Sequence, residues 1–256
     1  MKYNPISIIT LYKKEVQRFT KIPLQTIVAP AATSLLFMVI FTTAIGSVRT
    51  NYPLDSFKSF LFPGLIMMTI IQNAFMNNSS SILMSKVQGN IVDLLMPPLG
   101  PGEILTAMVA AAVTRGVLVA FVCIATFWFF NAIIPPPSLL TALLFLLLGA
   151  AVMAMAGLIA GVWAQKFEHL SAITNFIVQP LAFLSGTFYS IGRLPAPFDT
   201  IAGLNPFFMI IDGFRYGMMG LLESYLGTSF IVVLGMTFFL AIICFRLLAT
   251  GFRLKS

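Results

Sequence analysis

Long uninterrupted apolar stretches dominate the chain, and charged residues lie mostly between them. No Asp, Glu, Lys or Arg occurs between Lys21 and Arg49, between Lys58 and Lys86, or between Arg115 and Lys166. A helix needs about 20 consecutive, predominantly apolar residues to cross the hydrocarbon layer of a membrane. The apolar runs are continuous rather than alternating, which disfavours a β-barrel. The pattern therefore predicts an all-α, polytopic membrane protein.

The spacing of these stretches predicts six membrane spans. Pro135, Pro136 and Pro137 divide the longest charge-free stretch into two of them. We place the spans at about 23–46, 59–85, 104–132, 139–163, 170–188 and 228–250. The stretch Pro206–Glu223 is also apolar, but it holds three charges, each costing about 2.5–3.5 kcal/mol at a helix centre. We expect that stretch to dip into the outer half of the membrane or to lie at its surface.

Composition excludes the main alternatives to a membrane protein. Hydrophobic residues make up 59% of the chain and charged residues 9%, whereas soluble domains carry roughly 25% charged residues. The net charge of +7 does not indicate a nucleic-acid partner, because most basic residues flank the apolar stretches. Cys123, Cys244 and the single histidine, His169, are far apart in the sequence, so we expect no metal site.

The distribution of Lys and Arg predicts the orientation of the spans. With six spans, both termini lie on the same side of the membrane. That side carries Lys2, Lys13, Lys14, Arg18, Lys21, Lys86, Lys166, Arg246, Arg253 and Lys255. The other side carries Arg49, Lys58, Arg193 and Arg215, and Arg115 falls inside the third span. Both termini are therefore predicted to be cytoplasmic.

Residues 1–22 are predicted to form an amphipathic helix ahead of a membrane domain at 23–256. Ile8, Leu11, Tyr12 and Phe19 fall near one helix face, and Lys13, Lys14, Gln17 and Arg18 lie mostly opposite. Such a helix lies in the cytoplasmic interface with its basic side toward anionic lipid headgroups. It could also serve simply as a topology anchor, and the two roles are compatible.

The loop after the second span contains a second short amphipathic pattern. Val87, Ile91, Leu94 and Leu95 share a helical face, and Pro97 is expected to end the helix. A rigid, half-apolar cytoplasmic helix of this kind suits docking in a groove of a soluble partner. The periodicity alone, however, favours an interfacial helix that only returns the chain to the membrane.

Two predicted spans carry stripes of uncharged polar residues. Asn73, Asn77 and Ser80 share a face of the second span, and Asn175 and Gln179 lie close together on the fifth. Such amides either join helices by hydrogen bonds or face a hydrated path. Neither stripe contains Asp, Glu or His, which disfavours an ion or proton relay.

Two other features are interpreted structurally. Gly157 and Gly161 form a small-residue pair that allows close helix packing, either within the chain or between two copies. Asp212 and Arg215 are three residues apart and are expected to form a structural ion pair on a helix. No phosphate-binding loop, zinc-protease motif or catalytic triad is found in the sequence.

Two segments resemble the permease subunits of bacterial transporters of the ABC-2 type. The stretch from Phe183 to Gly220, FLSGTFYSIGRLPAPFDTIAGLNPFFMIIDGFRYGMMG, has the family's Ser-Gly-x-aromatic-aromatic start, then Leu-Pro, Leu-Asn-Pro and a downstream Arg. The matching residues are Ser185, Gly186, Phe188, Tyr189, Leu194, Pro195, Leu204, Asn205, Pro206 and Arg215. The loop NIVDLLMPPLGPGEIL is similar to the family's loop after the second span.

The resemblance implies a transport subunit of the bacterial inner membrane without catalysis of its own. Its expected partners are a second copy of the chain, membrane lipid and two copies of an ABC ATPase that binds Mg-ATP. The loop helix would be the coupling helix seated on that ATPase, with candidate contacts at Val87, Gln88, Ile91, Asp93, Leu94 and Leu95. Asn73, Asn77, Asn175 and Gln179 would border the translocation path, and the Gly186–Phe207 region would form a re-entrant external hairpin.

The sequence leaves the mechanism and the substrate open. The leading expectation is export of an amphiphilic substrate, a drug, a lipid or a glycolipid or polysaccharide, by alternating access coupled to the ATPase. The first alternative is an ATP-independent secondary transporter or channel. An intramembrane enzyme acting on lipid is disfavoured, because no convergent acid, base or metal-ligand set is found in the sequence.

Overall fold

The computed structural model describes residues 5–46, 54–96, 99–129 and 136–253, which are largely helical and contain no strand. Its first half contains a π-helical turn, Leu24–Val28, that leads directly into the second helix. The helices are α1 (Pro5–Thr20), α2 (Ala29–Gly46), α3 (Leu54–Val87), α4 (Val92–Leu95), α5 (Pro101–Phe129) and α6 (Leu139–Trp163).

The second half is more broken. Helices α7 (Phe167–Ile173) and α8 (Gln179–Phe183) are joined without interruption by a π-helical turn, Thr174–Val178. A 3₁₀ turn at Ile191–Arg193 precedes α9 (Phe198–Gly203), α10 (Pro206–Met219) and α11 (Leu226–Thr250). Asn205 caps α10 by accepting a hydrogen bond from the Phe207 amide at 3.0 Å, and Gly220 ends the helix with φ +70°.

Five stretches of the described residues are long and apolar enough to cross a membrane. They are Leu24–Ala44, Phe57–Val87, Pro101–Phe129, Leu139–Trp163 and Leu226–Thr250, and they correspond to the first four and the last predicted spans. The predicted end of the third span, at about 132, lies outside the described residues. The predicted end of the fifth span at 188 was wrong, because the helix ends at Phe183 and Gly186 has φ +67°.

Helices α3 and α6 form the centre of the fold and run parallel to each other. A Cβ atom on Gly157 would lie 2.1 Å from the Phe75 carbonyl oxygen, and one on Gly161 would lie 2.9 Å from that of Ser79. Only glycine allows the two backbones to approach this closely. The glycine pair therefore packs within the chain, which decides between the two interpretations of the sequence.

The two ends of the helical bundle differ in content. At one end, Leu11 of α1, Ile91, Leu94, Ile104 of α5 and Leu248 of α11 share an apolar cluster. At the other end, α10 packs antiparallel to the beginning of α6, with Gly213 against Phe145 and Gly217 against Ala142. The bundle thus keeps α1, α4 and the end of α11 together, remote from α10.

The continuous helical segment Phe167–Phe183 leads from the first of these ends toward the second. It begins where the His169 ring lies 5.6 Å from the ring of Trp163 at the end of α6. Three residues beyond its end, the Gly186 carbonyl accepts a hydrogen bond from Arg215 of α10 at 2.7 Å. Asn205 then donates to the Leu181 carbonyl at 2.7 Å, so the chain folds back on this segment before α10 begins.

Candidate translocation and coupling sites

A cavity of about 240 Å³ lies between α3 and the segment formed by Leu24–Val28 and α2. Among the described residues that line it, the polar groups are amides and hydroxyls, and none of these residues is charged. Its lining is Gln25, Ala29, Pro30, Thr33, Ser34, Phe37, Leu65, Met68, Thr69, Gln72 and Asn73. The cavity combines an apolar wall with uncharged polar groups, as a binding site for part of an amphiphile requires.

Asn73 connects this cavity to a buried cation. Its Oδ1 accepts a hydrogen bond from Arg115 Nη2 at 2.9 Å, and its Nδ2 donates to the Thr69 carbonyl at 2.9 Å. Asn73 is 9% exposed and Arg115 is 6% exposed. Asn73, which was predicted to border the translocation path, therefore lies at the cavity wall, and Arg115 of α5 holds its side chain in place.

Asn77 has different surroundings from Asn73. It is fully buried, and both its Oδ1 and its carbonyl oxygen accept hydrogen bonds from Arg18 of α1, at 3.1 and 2.8 Å. Arg18 also pairs with Glu15 at 3.1 Å, and Glu15 accepts a hydrogen bond from Ser81 at 2.9 Å. Asn77 thus joins α3 to the amphipathic helix, in keeping with the hydrogen-bonding interpretation of the stripe.

This network changes the picture of α1. The buried residues of the helix are Leu11, Glu15 and Phe19, so an acidic side chain lies on the face that the sequence pattern makes apolar. Tyr12 adds a hydrogen bond at 2.9 Å to Thr114 of α5. Helix α1 therefore packs against the bundle through polar as well as apolar contacts, a role that its periodicity alone did not predict.

The polar residues of the fifth predicted span are also separated. Gln179 accepts a hydrogen bond from Gln72 Nε2 at 3.3 Å, which brings it next to a residue of the cavity wall. Asn175 lies one turn earlier and is exposed. Of the four predicted path residues, Asn73 and Gln179 are therefore close to the cavity, whereas Asn77 and Asn175 are not part of its wall.

The predicted coupling helix is shorter than expected, and its apolar face is turned the other way. Helix α3 continues to Val87, Gly89 has φ +73° in the turn that follows, and α4 holds four residues. Ile91 and Leu94 are 8% and 7% exposed inside the apolar cluster with α1 and α5. In the single chain these two side chains are therefore not exposed for docking, because the bundle itself provides their apolar surroundings.

Other side chains of this loop remain exposed. Val87, Val92 and Met96 are 51%, 50% and 79% exposed, and Gln88 and Asp93 are exposed as well. The side chain of Leu95 and the predicted helix stop at Pro97 lie outside the described residues. An apolar surface with one acidic group is thus present, built partly from residues that the sequence pattern did not single out.

Lys86 fixes this loop to the end of α6. Its Nζ donates to the carbonyl oxygens of Val162 at 2.8 Å and Ala164 at 2.6 Å. These carbonyls lie at the helix C-terminus, where no amide of the same helix reaches them and a cation is favourable. A movement of the loop would therefore act directly on α6 as well as on α3.

The Ser-Gly segment at the opposite end surrounds a fully buried guanidinium. Arg215 Nη1 lies 3.8 Å from Asp212 Oδ1, and the guanidinium carbon lies 3.9 Å from the centre of the Phe60 ring. Asp212 also accepts hydrogen bonds from the amides of Glu223 and Ser224 at 3.1 and 2.9 Å. The predicted pair thus joins α10, α3 and the loop before α11.

The remaining motif residues take several roles in this region. Phe188 is buried and packs against Phe41 of α2, with ring centres 4.5 Å apart. The Tyr189 hydroxyl donates to the Phe183 carbonyl at 3.2 Å. Asn205 and Pro206 begin α10, as described above. Leu194 is half-buried, whereas Pro195 and Leu204 are exposed, so the motif has both a packed side and an open side.

Arg115 is the functional candidate that sequence reasoning did not select. Because it falls inside a predicted span, it does not contribute to the count of Lys and Arg on either side of the membrane. That position is itself a signal of function, because a charged residue at the middle of a membrane span is energetically costly and marks a functional site. Glu15 offered a weaker signal, as the single acidic residue of the N-terminal helix.

Comparison with known proteins agrees with these features. Residues 6–219 match a protein family described as ABC-2 type transporter. The chain is 36% identical over 253 residues to a protein named inner membrane transport permease YadH from Escherichia coli K12, with 98% of each chain covered. Proteins of the same name from Escherichia coli O157:H7 and Shigella flexneri show the same identity and coverage.

Proposed function

Because the chain belongs to the ABC-2 type transporter family, we propose that it is the permease subunit of an ATP-driven exporter. It is a membrane transport subunit, and hydrolysis of Mg-ATP takes place on a separate ABC ATPase, present in two copies. A second copy of the chain completes the transporter in the lipid of the bacterial inner membrane. The transported molecule is an amphiphile.

Six crossings are supported by the path of the chain. The segment Phe167–Phe183 has 17 helical residues, about 26 Å of helix at 1.5 Å per residue, against a hydrocarbon layer of about 30 Å. It completes an even number of crossings, which agrees with the shared cluster of Leu11 and Leu248. The excess of Lys and Arg at that end makes it cytoplasmic.

The outer end is closed by a re-entrant pair formed by α9 and α10. Ile191 donates its amide hydrogen to Glu223, just beyond α10, at 2.9 Å, whereas Asn205 bonds back to Leu181 at the other end of α10. The chain therefore descends from Ile191 to Asn205 and rises again through α10. The buried Asp212–Arg215 pair stabilises this arrangement through its contacts with Gly186 and the loop before α11.

Coupling to the ATPase uses the exposed residues Val87, Gln88, Val92, Asp93 and Met96. Ile91 and Leu94 act from inside by fixing the loop to the bundle, and Lys86 connects it to α6. Nucleotide-driven closure of the ATPase pair then moves α3 and α6 as one body, because their backbones are in contact through Gly157 and Gly161. The cavity between α2 and α3 opens and closes as that body moves.

The observation that carries this proposal is the exposed apolar surface of the loop at the end of α3, in a chain of this family. The test is co-purification with a co-expressed ABC ATPase from the same organism, followed by ATP-dependent transport in liposomes. Val92→Arg should abolish ATPase co-purification. Leu221→Arg, which changes an exposed apolar residue at the other end of the molecule, should leave it intact.

Two results would contradict the proposal. One is equal ATPase co-purification by the Val92→Arg protein. The other is substrate movement driven by an ion gradient without ATP, which would assign the chain to the ATP-independent transporters. Both experiments use the same purified protein. Its elution profile in size-exclusion chromatography shows whether it is folded, so a folding defect is recognised separately.

A further inference from the structure

Arg115 is a buried cation at the middle of the 29-residue helix α5. Arg115 belongs neither to the pair of Arg18 with Glu15 nor to the pair of Arg215 with Asp212. Its Nε is buried without a hydrogen-bond partner. A charge at the centre of a membrane-spanning helix is costly, so an uncompensated one needs an explanation.

The comparison with Arg215 sharpens the point. Arg215 is also buried, but Asp212 lies beside it and the face of Phe60 covers it. Both neighbours stabilise a positive charge. Arg115 has the amide oxygen of Asn73 as its acceptor in the described part of the chain. A neutral amide orients a guanidinium without neutralising it.

Asn73 lies between Arg115 and the cavity, so the positive charge acts on a ligand through the side chain of Asn73. Its Oδ1 is bound by Arg115, and one N–H of its Nδ2 is bound to the Thr69 carbonyl. An amide nitrogen has two N–H groups, so one remains for a ligand in the cavity that Asn73 lines. A cation on the oxygen polarises the amide and strengthens that donor.

The rest of the cavity provides no negative charge. Gln25 and Gln72 contribute further amides, and Thr33, Ser34 and Thr69 contribute hydroxyls. A cationic ligand would meet the field of Arg115 with no carboxylate on the wall, whereas an anionic ligand would supply the missing compensation. The volume of about 240 Å³ equals roughly eight waters at ~30 Å³ each, which suits a headgroup rather than a whole amphiphile.

We propose that this cavity binds the anionic headgroup of the transported amphiphile, a phosphate, carboxylate or sulfate. Arg115 supplies the compensating charge, and Asn73 Nδ2 supplies a polarised donor. The apolar chain of the ligand lies along α2, where Leu36 and Ile40 are 58% and 47% exposed. The inference rests on the proposed function, because it names the substrate class of the same path.

Binding to the permease alone tests this assignment. The protein is placed in nanodiscs of phosphatidylcholine, and equilibrium binding is measured for dodecyl phosphate, dodecyl maltoside and dodecyltrimethylammonium below their micelle concentrations. The three probes share one chain and differ in headgroup charge. Dodecyl phosphate should bind at least 10-fold more tightly than the other two, since a hydrogen bond to a charged group contributes about 1.5–3 kcal/mol.

Variants at two positions separate charge from packing. Arg115→Gln should remove the preference for dodecyl phosphate, Arg115→Lys should retain most of it, and Lys13→Gln, at an exposed cation of α1, should leave it unchanged. Asn73→Asp places a carboxylate beside Arg115 without changing the size of the side chain. It should fold and lose the preference, because the cation is then paired within the protein.

The outcomes that overturn the inference are distinct. Equal binding of the three probes would do so, as would a preference that survives both Arg115→Gln and Asn73→Asp. Should Arg115→Gln fail to fold, Asn73→Asp decides alone. Displacement of dodecyl phosphate by an equal concentration of inorganic phosphate would assign the site to a water-soluble anion and refute an amphiphile. No ATPase is present, so failure of the proposed exporter function would show separately, as absent co-purification.

Discussion

Helix α3 packs against α6 on one side and against α2 on another, and the two contacts have opposite character. Toward α6, the Gly157 position leaves a Cβ atom only 2.1 Å from the Phe75 carbonyl oxygen, and Asn78 donates to the Ala154 carbonyl at 3.0 Å. Toward α2, a cavity lined by hydroxyls and amides separates the helices. Two backbones in direct contact can move only together, whereas helices separated by a polar cavity can change their distance at little cost.

This contrast indicates which parts of the molecule transmit movement and which part binds. The α3–α6 pair is fixed by Lys86 at the end that carries α1 and α4, and it includes, at the other end, the Phe60 ring above Arg215. Helix α2 is mostly exposed, since 17% of the residues in the most apolar part of Leu24–Ala44 are buried. We therefore expect substitutions on the α6 side of α3 to affect stability and substitutions on the α2 side to affect transport.

The largest effect is expected from Gly157→Ala. The added Cβ would overlap the Phe75 backbone, which cannot move as a flexible side chain would, so the helices must separate. Overpacking costs about 1–3 kcal/mol and occasionally more, and we expect the upper end or beyond. Thermal unfolding in detergent measures it. Gly235→Ala on α11, where a Cβ meets nothing within 4 Å, is the matched control and should be neutral. Equal behaviour of the two variants would refute the close contact.

A smaller loss is expected from Asn78→Leu. Asn78 is fully buried and bonds the Ala154 carbonyl of α6 and the amide of Asn77. Leaving those groups unpaired costs about 1–3 kcal/mol. The decrease in thermal stability should appear without a change in ligand binding. A stable variant with altered ligand binding would instead move the path to the α6 side.

Lys86→Met should cost less in stability and more in coupling. The substitution removes the cation from the carbonyls at the end of α6, an interaction of about 0.3–1 kcal/mol where the site is partly exposed. We expect ATPase activity in the reconstituted complex to persist while its stimulation by substrate falls. Lys166→Met, at an exposed lysine that follows the acceptor residue Ala164 closely in sequence, is the control. Unchanged stimulation in Lys86→Met would exclude the proposed connection to α6.

The smallest change in stability is expected from Gln72→Leu. Gln72 is half-buried at the cavity wall, and its hydrogen bond to Gln179 is 3.3 Å long. Its replacement should change the free energy of unfolding by no more than about 0.5 kcal/mol. Transport should nevertheless change, because one amide of the polar wall is lost. A stability loss equal to that of Asn78→Leu would remove the distinction between the two sides of α3.

Much of the architecture could be predicted from the sequence because it depends on local composition. Long apolar stretches with few charges located α2, α3, α5, α6 and α11, since burial of a charge in lipid is costly. The ends of α10 also depend on local signals, the Asn205 cap and Gly220, although neither was among the predictions from the sequence. The glycines of α6 indicated close packing, although the sequence left the partner open.

Tertiary structure alone decided which polar and apolar residues meet. The amides of Asn73 and Asn77 have the same helical spacing, yet one lines a cavity and the other bonds Arg18, because the neighbours of each come from distant parts of the chain. The sequence pattern likewise left Ile91 and Leu94 available to dock on a partner, whereas in the structure α1, α5 and α11 cover them. Periodicity determines which residues share a face, whereas the elements that cover that face determine what the residues do.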